Sequence, residues 1–170
     1  YARHRLLIQN NLNLYCSHLP LDAHPEVGNN AQIAMQLDLE VEYFFADYMD
    51  EDSEDGYPCR LALTLIISGD SITLDFTGSD PQIESSINIP TGGQERHALL
   101  MVGVIYILYS LDPKLFLNAG VCRAIGSILP EGTVINPAFP AAVGLRTLSV
   151  QRLMGLIFGA FVQAAPEKLP

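Results

Sequence analysis

The sequence predicts an α+β fold, in which a mixed sheet containing a β-hairpin packs with two long apolar helices. Three observations predict it. Cys59–Ser68 and residues 71–77 are apolar-alternating runs separated only by Gly69-Asp70, and a two-residue linker opening on Gly fits a tight hairpin turn. Residues 95–111 carry Leu, Met, Val, Ile and Tyr on most faces, the texture of a mostly buried helix. Residues 148–164 read as a second helix, with Gly155 and Gly159 on one face. That spacing suits close packing on a sheet better than a membrane dimer, because the segment is short and Arg152 and Gln163 fall within it.

Composition sets the outer limits. The chain has 170 residues, 49% of them hydrophobic, and 13 Gly and 11 Pro without a period. Disordered and collagen-like chains are thereby excluded. One domain of this size buries roughly 70% of its unfolded surface, enough for a real core. Cys16, Cys59 and Cys122 are odd in number and far apart, which excludes a disulfide-dense scaffold and fits a reducing, cytoplasmic setting. No basic-then-apolar leader stands at the start. The longest apolar run, Ala98–Leu111, is shorter than the roughly 18 residues a membrane span needs.

The formal net charge is −10, unevenly placed. Residues 1–90 hold 15 acidic and three basic side chains, residues 91–170 four and six. No Lys/Arg cluster offers the basic footprint of a nucleic-acid binder. The acidic half would be repelled by an anionic membrane.

The remaining elements follow in order. Residues 12–18 are apolar and β-prone and end before Pro20, so they read as a strand. Residues 19–30 form a loop, and Asn29 or Asn30 caps a short helix over 31–37. Residues 41–49, with four aromatic side chains, read as a strand entering a loop. Six acidic residues then fall within 47–55. A solvated loop explains them, since a calcium loop counted from Asp50 would need Gly at Asp55 and Glu at Leu61. Gly78-Ser79-Asp80-Pro81 and Thr91-Gly92-Gly93 are breaks, and Asp112-Pro113 stops the first long helix. Asn118-Ala119-Gly120 is a turn, residues 122–129 a strand, and Pro130-Glu131-Gly132 a turn before 133–136.

Self-contained catalytic motifs are missing: there is no glycine-rich phosphate loop, Gly-x-Ser-x-Gly elbow or paired-cysteine zinc spacing. One cluster is chemically dense. His18, Asp22 and His24 lie within seven residues, a ligand mix that divalent metals accept, although an exposed loop of capping side chains accounts for it too.

Residues 6–37, through Asn13-Leu14-Tyr15-Cys16-Ser17-His18-Leu19-Pro20-Leu21-Asp22-Ala23-His24-Pro25, resemble the GTP cyclohydrolase type 2 homologue family, whose members hold a dinuclear metal site. The resemblance implies that Asp22 is a metal ligand, with His18 close by. The family's upstream His-His pair and C-terminal His-x-x-x-Glu have no counterpart, so it implies a fragment of that site.

A longer resemblance covers residues 42–170. Tyr43-Phe44-Phe45-Ala46-Asp47-Tyr48-Met49-Asp50, Ile72-Thr73-Leu74-Asp75-Phe76-Thr77-Gly78-Ser79-Asp80-Pro81-Gln82, and Asn118-Ala119-Gly120 occur in that order. Leu129-Pro130-Glu131-Gly132-Thr133-Val134-Ile135-Asn136-Pro137 and Phe158-Gly159-Ala160-Phe161-Val162-Gln163-Ala164 follow. Together they resemble the C-terminal part of the hydantoinase B / 5-oxoprolinase family. The resemblance implies ATP-dependent opening of a cyclic amide such as 5-oxoproline or a hydantoin. ATP would be handled only by a partner subunit or domain of the hydantoinase A / oxoprolinase A kind. Family metal motifs of the N-terminal half are absent, and Gly144-Leu145-Arg146-Thr147-Leu148-Ser149 replaces a common Gly-Gly-Asn-Val-Glu-Thr.

These resemblances divide the chain into a metal-protein-like fragment, 1–40, and a partial hydantoinase B-like domain, 41–170. The catalytic candidates are Asp75, Asn118 and Arg123. Asp75 ends a strand beside Gly78, where a backbone can approach a ligand, or it closes an Asx turn. Asn118 and Arg123 flank a Gly turn, and Arg123 either grips a carboxylate or phosphate bidentately or joins a surface ion pair. Arg146, in an otherwise apolar stretch, is the expected substrate contact as a half-buried Arg needing a partner. The metal candidates are Asp22 and His18, for a divalent ion. His97 stands at the polar start of a helix. The rival readings are a metal-binding module and an inactive interaction fragment that self-associates through bare apolar surface.

Overall fold

The structure, a computed structural model, describes residues 42–50 and 56–169. The strand expected at 12–18, the helix at 31–37 and most of the acidic loop lie outside the described residues. Strands β1 (Glu42–Met49), β2 (Cys59–Ser68) and β3 (Ser71–Asp75) run antiparallel in sequence order. Helices α1 (Ala98–Leu111) and α2 (Ala119–Arg123) precede β4 (Ile125–Ile128), which pairs parallel to β3 and completes the order β1-β2-β3-β4. A parallel neighbour requires a crossover connection, and the segment containing α1 supplies it. Helix α3 (Arg146–Ala164) follows. The expected mixed sheet with its hairpin and two long apolar helices is therefore present.

Period-two patterning decides which face of the sheet is covered. Cys59, Leu61, Leu63, Leu65 and Ile67 alternate along β2 and are all buried. Register places Phe45 and Met49 of β1, Ile72 and Leu74 of β3, and Ile125 of β4 on the same side. Leu153, Leu156, Ile157, Ala160 and Phe161 of α3 join them in one core. By length and composition α3 is apolar enough to cross a membrane, and 39% of that stretch is buried within this packing. The hairpin closes at the Ser68–Ser71 pair, with Gly69 at φ +58°, a left-handed conformation that glycine adopts without strain.

Glycines set how closely the helices approach. A Cβ at Gly159 would lie 2.5 Å from Cε1 of Phe45, so α3 sits against β1 only because that side chain is absent. A Cβ at Gly103 would meet Cδ1 of Ile157 at 3.1 Å, which fixes α1 against α3. Gly155 has no heavy atom within 4 Å of such a Cβ. The expected packing role thus holds for Gly159 and not for Gly155.

Element boundaries differ from expectation where side chains intervene. Strand β3 stops at Asp75 rather than at residue 77, because the Asp75 carboxylate accepts from the Thr77 N–H at 2.8 Å. Helix α1 starts at Ala98 rather than 95, capped by His97, whose Nδ1 accepts from Leu99 N–H at 3.3 Å. It ends before Asp112, whose N–H donates to Leu108 O at 3.0 Å. The run 122–129 is divided, because Asn118 caps a helical turn and leaves only Ile125–Ile128 as strand. Helix α3 begins two residues early, at Arg146.

The glycine contrast is measurable by urea denaturation. Gly159→Ala, which overpacks Phe45, is expected to lose about 1–3 kcal/mol. Gly155→Ala, which only relieves helix entropy, is expected to gain about 0.5–1 kcal/mol. Equal shifts in both variants would contradict this account of the α3 seat.

Candidate functional site

Beyond residue 75 the sheet is completed by side chains. Strand β2 is twice as long as β3, so backbone groups near its start need other partners. The Ser79 hydroxyl accepts from Ala62 N–H at 3.0 Å and donates to Ala62 O at 3.2 Å. The Asp80 carboxylate accepts from Arg60 N–H at 2.7 Å, and Asp80 N–H donates to Arg60 O at 3.0 Å. The two residues imitate a strand edge.

The irregular segments 76–97 and 129–145 are then tied to each other. Gln82 N–H donates to Gly132 O at 2.8 Å, Val134 N–H to Asp80 O at 3.0 Å, and Ile89 N–H to Val134 O at 2.8 Å. The Gln82 amide accepts from Ala138 N–H at 2.7 Å. Thr91 donates its hydroxyl to Ile135 O at 2.6 Å. Asn88, fully buried, accepts from Ile83 N–H at 3.1 Å and donates to the carbonyls of Ile83, Ser85 and Ala142 at 2.8–3.0 Å.

This scaffold fixes the start of α3. Leu145 N–H donates to Ser86 O at 2.9 Å, and the buried Ser149 hydroxyl donates to Ile87 O. Beside these turns lies a cleft of about 480 Å³, bordered by Met49, Asp50, Ile87, Leu148, Gln151 and Arg152. Strand alternation puts Asp47 on the same side of β1 as Phe45 and Met49, where it stays partly exposed and its Oδ1 accepts from Tyr48 N–H at 2.8 Å. Arg152 answers it from α3, with Nη1 3.2 Å from Asp47 Oδ2, at the open margin of the sheet. The cleft offers the Arg152 guanidinium, the Asp50 carboxylate and the Gln151 amide beside the apolar side chains of Met49, Ile87 and Leu148. Among the described residues, the hydroxyl that lines it, that of Ser149, is committed to a backbone carbonyl.

The sequence candidates do not gather there. Asp75 serves the Asx turn already described and pairs with Ile128 at the far end of β4. Asn118 and Arg123 bracket α2, before the near end of β4. Three residues of strand, roughly 10 Å, therefore separate Asp75 from the level at which β4 begins. Asn118 Oδ1 accepts from Gly120 N–H at 2.7 Å as a helix cap. Arg123 is exposed, in the last turn of α2. Arg146 was expected to be half-buried and is exposed, because it opens α3 directly after the exposed stretch 144–145. It does not line the cleft. His97, expected inside a helix starting at residue 95, is instead the cap just before it. Asp22 and His18 lie outside the described residues. Among the described residues no three His, Cys, Asp or Glu side chains group in a way that could hold a metal ion.

Two arginines matter that sequence reading passed over. Arg152 faces an aspartate 105 positions away, a relation no local pattern encodes. Arg96 donates from Nε to Cys122 O at 3.0 Å and Ile125 O at 2.9 Å, and from Nη2 to Arg123 O at 3.3 Å. It collects the carbonyls where α2 gives way to β4.

A family model described as hydantoinase B/oxoprolinase matches residues 21–170. The chain belongs to this family. A protein named as a D-/L-hydantoinase B subunit from Pseudomonas sp. strain NS671 is 30% identical over 133 residues, covering 75% of this chain and 22% of that protein. A short stretch of 39 residues is 67% identical to a GTP cyclohydrolase 1 type 2 homologue of Deinococcus radiodurans, covering 23% of this chain and 15% of the relative. The ATP-dependent caprolactamase of Pseudomonas jessenii shares the fold, with a TM-score of 0.60 and 23% identity over 82% of this chain and 24% of its own. The chain thus spans about a fifth of the length of these hydantoinase-like relatives. Within it, the stretches resembling the hydantoinase B family at 72–82, 118–120 and 129–137 coincide with the strand mimic, the α2 cap and the tied segments.

Removal of Asn88 is the sharpest test of that scaffold. Asn88→Ala leaves one buried N–H and three carbonyls without this partner, and a loss of about 2–4 kcal/mol in urea denaturation is expected. Asp75→Ala removes one acceptor at a half-exposed turn and is expected to lose no more than about 1 kcal/mol. A reversed order would refute the assignment of Asn88 as the hub.

Proposed function

We propose that this chain works as a scaffold module of a hydantoinase B-type enzyme. The overall reaction would be ATP-dependent hydrolytic opening of a cyclic amide of the 5-oxoproline or hydantoin class. Water adds to the ring carbonyl as the C–N bond breaks, coupled to ATP hydrolysis on a hydantoinase A-like subunit or domain. The observation that supports a scaffold role is the engagement of Ser79, Asp80, Gln82, Asn88 and Thr91 with backbone groups. Those polar side chains shape loops and carry no nucleophile–base geometry. A cytoplasmic setting, consistent with cysteines that are odd in number and far apart in the chain, belongs to the same reading.

The test is reconstitution. The chain alone is expected to open neither 5-oxoproline nor hydantoin. Adding an A-type subunit and the rest of a B-type chain is expected to restore ATP-dependent turnover. Ring opening by the isolated chain, with or without ATP, would sink the scaffold reading.

A second reading rests on the short stretch at 67% identity. It makes residues 1–40 a separate fragment in which Asp22 and His18 hold a divalent metal. Elemental mass spectrometry after gel filtration without chelator decides it. About one metal ion per chain, lost in Asp22→Ala, is expected, whereas equal content in the two proteins would remove the idea.

A further inference from the structure

Helix α1 contains no charged residue in its 14 positions. A helix apolar all round is normally enclosed, yet Val102, Tyr106 and Tyr109 are 50%, 67% and 47% exposed. They stand at i, i+4 and i+7, the spacing of one helix stripe. Val102 and Tyr106 of this stripe, with Gly103 and Ile107, border a groove of about 340 Å³ between α1 and α3, whose other wall is Met154, Gly155 and Phe158.

Gly155 is the second observation. A glycine inside a helix destabilises it and needs a reason. Gly103 and Gly159 each have one within this fold, in Ile157 and Phe45. Gly155 has none: the space where its Cβ would stand is open. It lines both the apolar groove and the polar cleft at Arg152, so the two depressions meet at the one place where α3 presents bare backbone. Small residues at such a point let a crossing helix come close.

The geometry points to the α1–α3 groove as the seat of an apolar helix from the remaining part of the B-type polypeptide, crossing α3 at Gly155. This rests on the scaffold-module reading above and deepens it. The relatives supply the occupant's source, because about four-fifths of the hydantoinase B subunit length lies outside the part matched by this chain. The charge-free groove wall favours an apolar face, and Arg152 with Asp47 at the cleft end fits a polar helix end.

Analytical ultracentrifugation tests it. The chain is mixed with a B-type relative from which the segment matching residues 42–170 has been deleted. Association of the wild-type chain is expected. Gly155→Leu is expected to weaken it at least tenfold while the chain's own melting temperature does not fall, and Tyr106→Asp is expected to weaken it similarly. Tyr57→Ser, on an exposed residue away from the groove, is the control that leaves association unchanged. Binding untouched by both groove variants overturns the groove as the seat and leaves the module reading standing. Failure of the wild type to bind overturns the module reading itself. A wild-type dimer that Gly155→Leu makes monomeric overturns the proposal in favour of a second copy as occupant.

Discussion

Two stretches without regular secondary structure, 76–97 and 129–145, enclose buried residues such as Ile87, Ile89, Val134 and Ile135. Backbone in that position has no ladder or helix to satisfy it, and an unpaired buried peptide group is expensive. Everything else depends on how the chain meets that requirement. Asn88 uses both ends of its amide on four backbone groups, one of them 54 residues away. Ser79 and Asp80 stand in for a missing strand beside β2. Because Leu145 and Ser149 attach to the same segment through Ser86 and Ile87, the start of α3 takes its position from these bonds. The cleft beside Arg152 is a consequence of loop chemistry before it is a property of the helix.

The helices are then seated by absent side chains. Phe45 can face Gly159, and Ile157 can face Gly103, so β1, α3 and α1 are drawn together along one line of contact. The α1–α3 groove opens beside the second of these contacts, with Gly103 in one wall and Gly155, where a Cβ would meet nothing within 4 Å, in the other. A groove produced by tight packing nearby keeps its shape, since the contacts that define it are within a close-packed core.

What the sequence disclosed follows from the range of each interaction. The hairpin, α1 and α3 are legible because their signals are local and periodic: alternation across Gly69-Asp70, and long apolar runs ended by Asp112-Pro113 or carrying spaced glycines. Short elements were harder. Residues 118–128 contain an Asn cap and a helical turn before four residues of strand, and a five-residue helix has too few positions to show a period. Bonds over distance were not legible at all. Nothing near Asn88 in the chain announces Ala142, and nothing near Asp47 announces Arg152. Arg146 looked half-buried because its neighbours are apolar, but apolar neighbours at a helix start can face outward, as Leu145 and Leu148 do.

Asp75 and Asn118 sit in the stretches that resemble other members, and each is engaged as an acceptor for a nearby backbone N–H. A carboxylate or amide fixed in this way holds a loop. Activating a nucleophile requires a base aimed at a reacting atom within hydrogen-bond reach, and Asp75 and the α2 residues lie at opposite ends of β4. A sequence motif can therefore mark a family through its turns as faithfully as through its reaction centre. In this chain the motifs secure the frame on which the arginine-lined cleft and the apolar groove are displayed side by side, joined at Gly155. A segment about a fifth the length of its relatives thus has its own core and still leaves its most apolar helix partly uncovered.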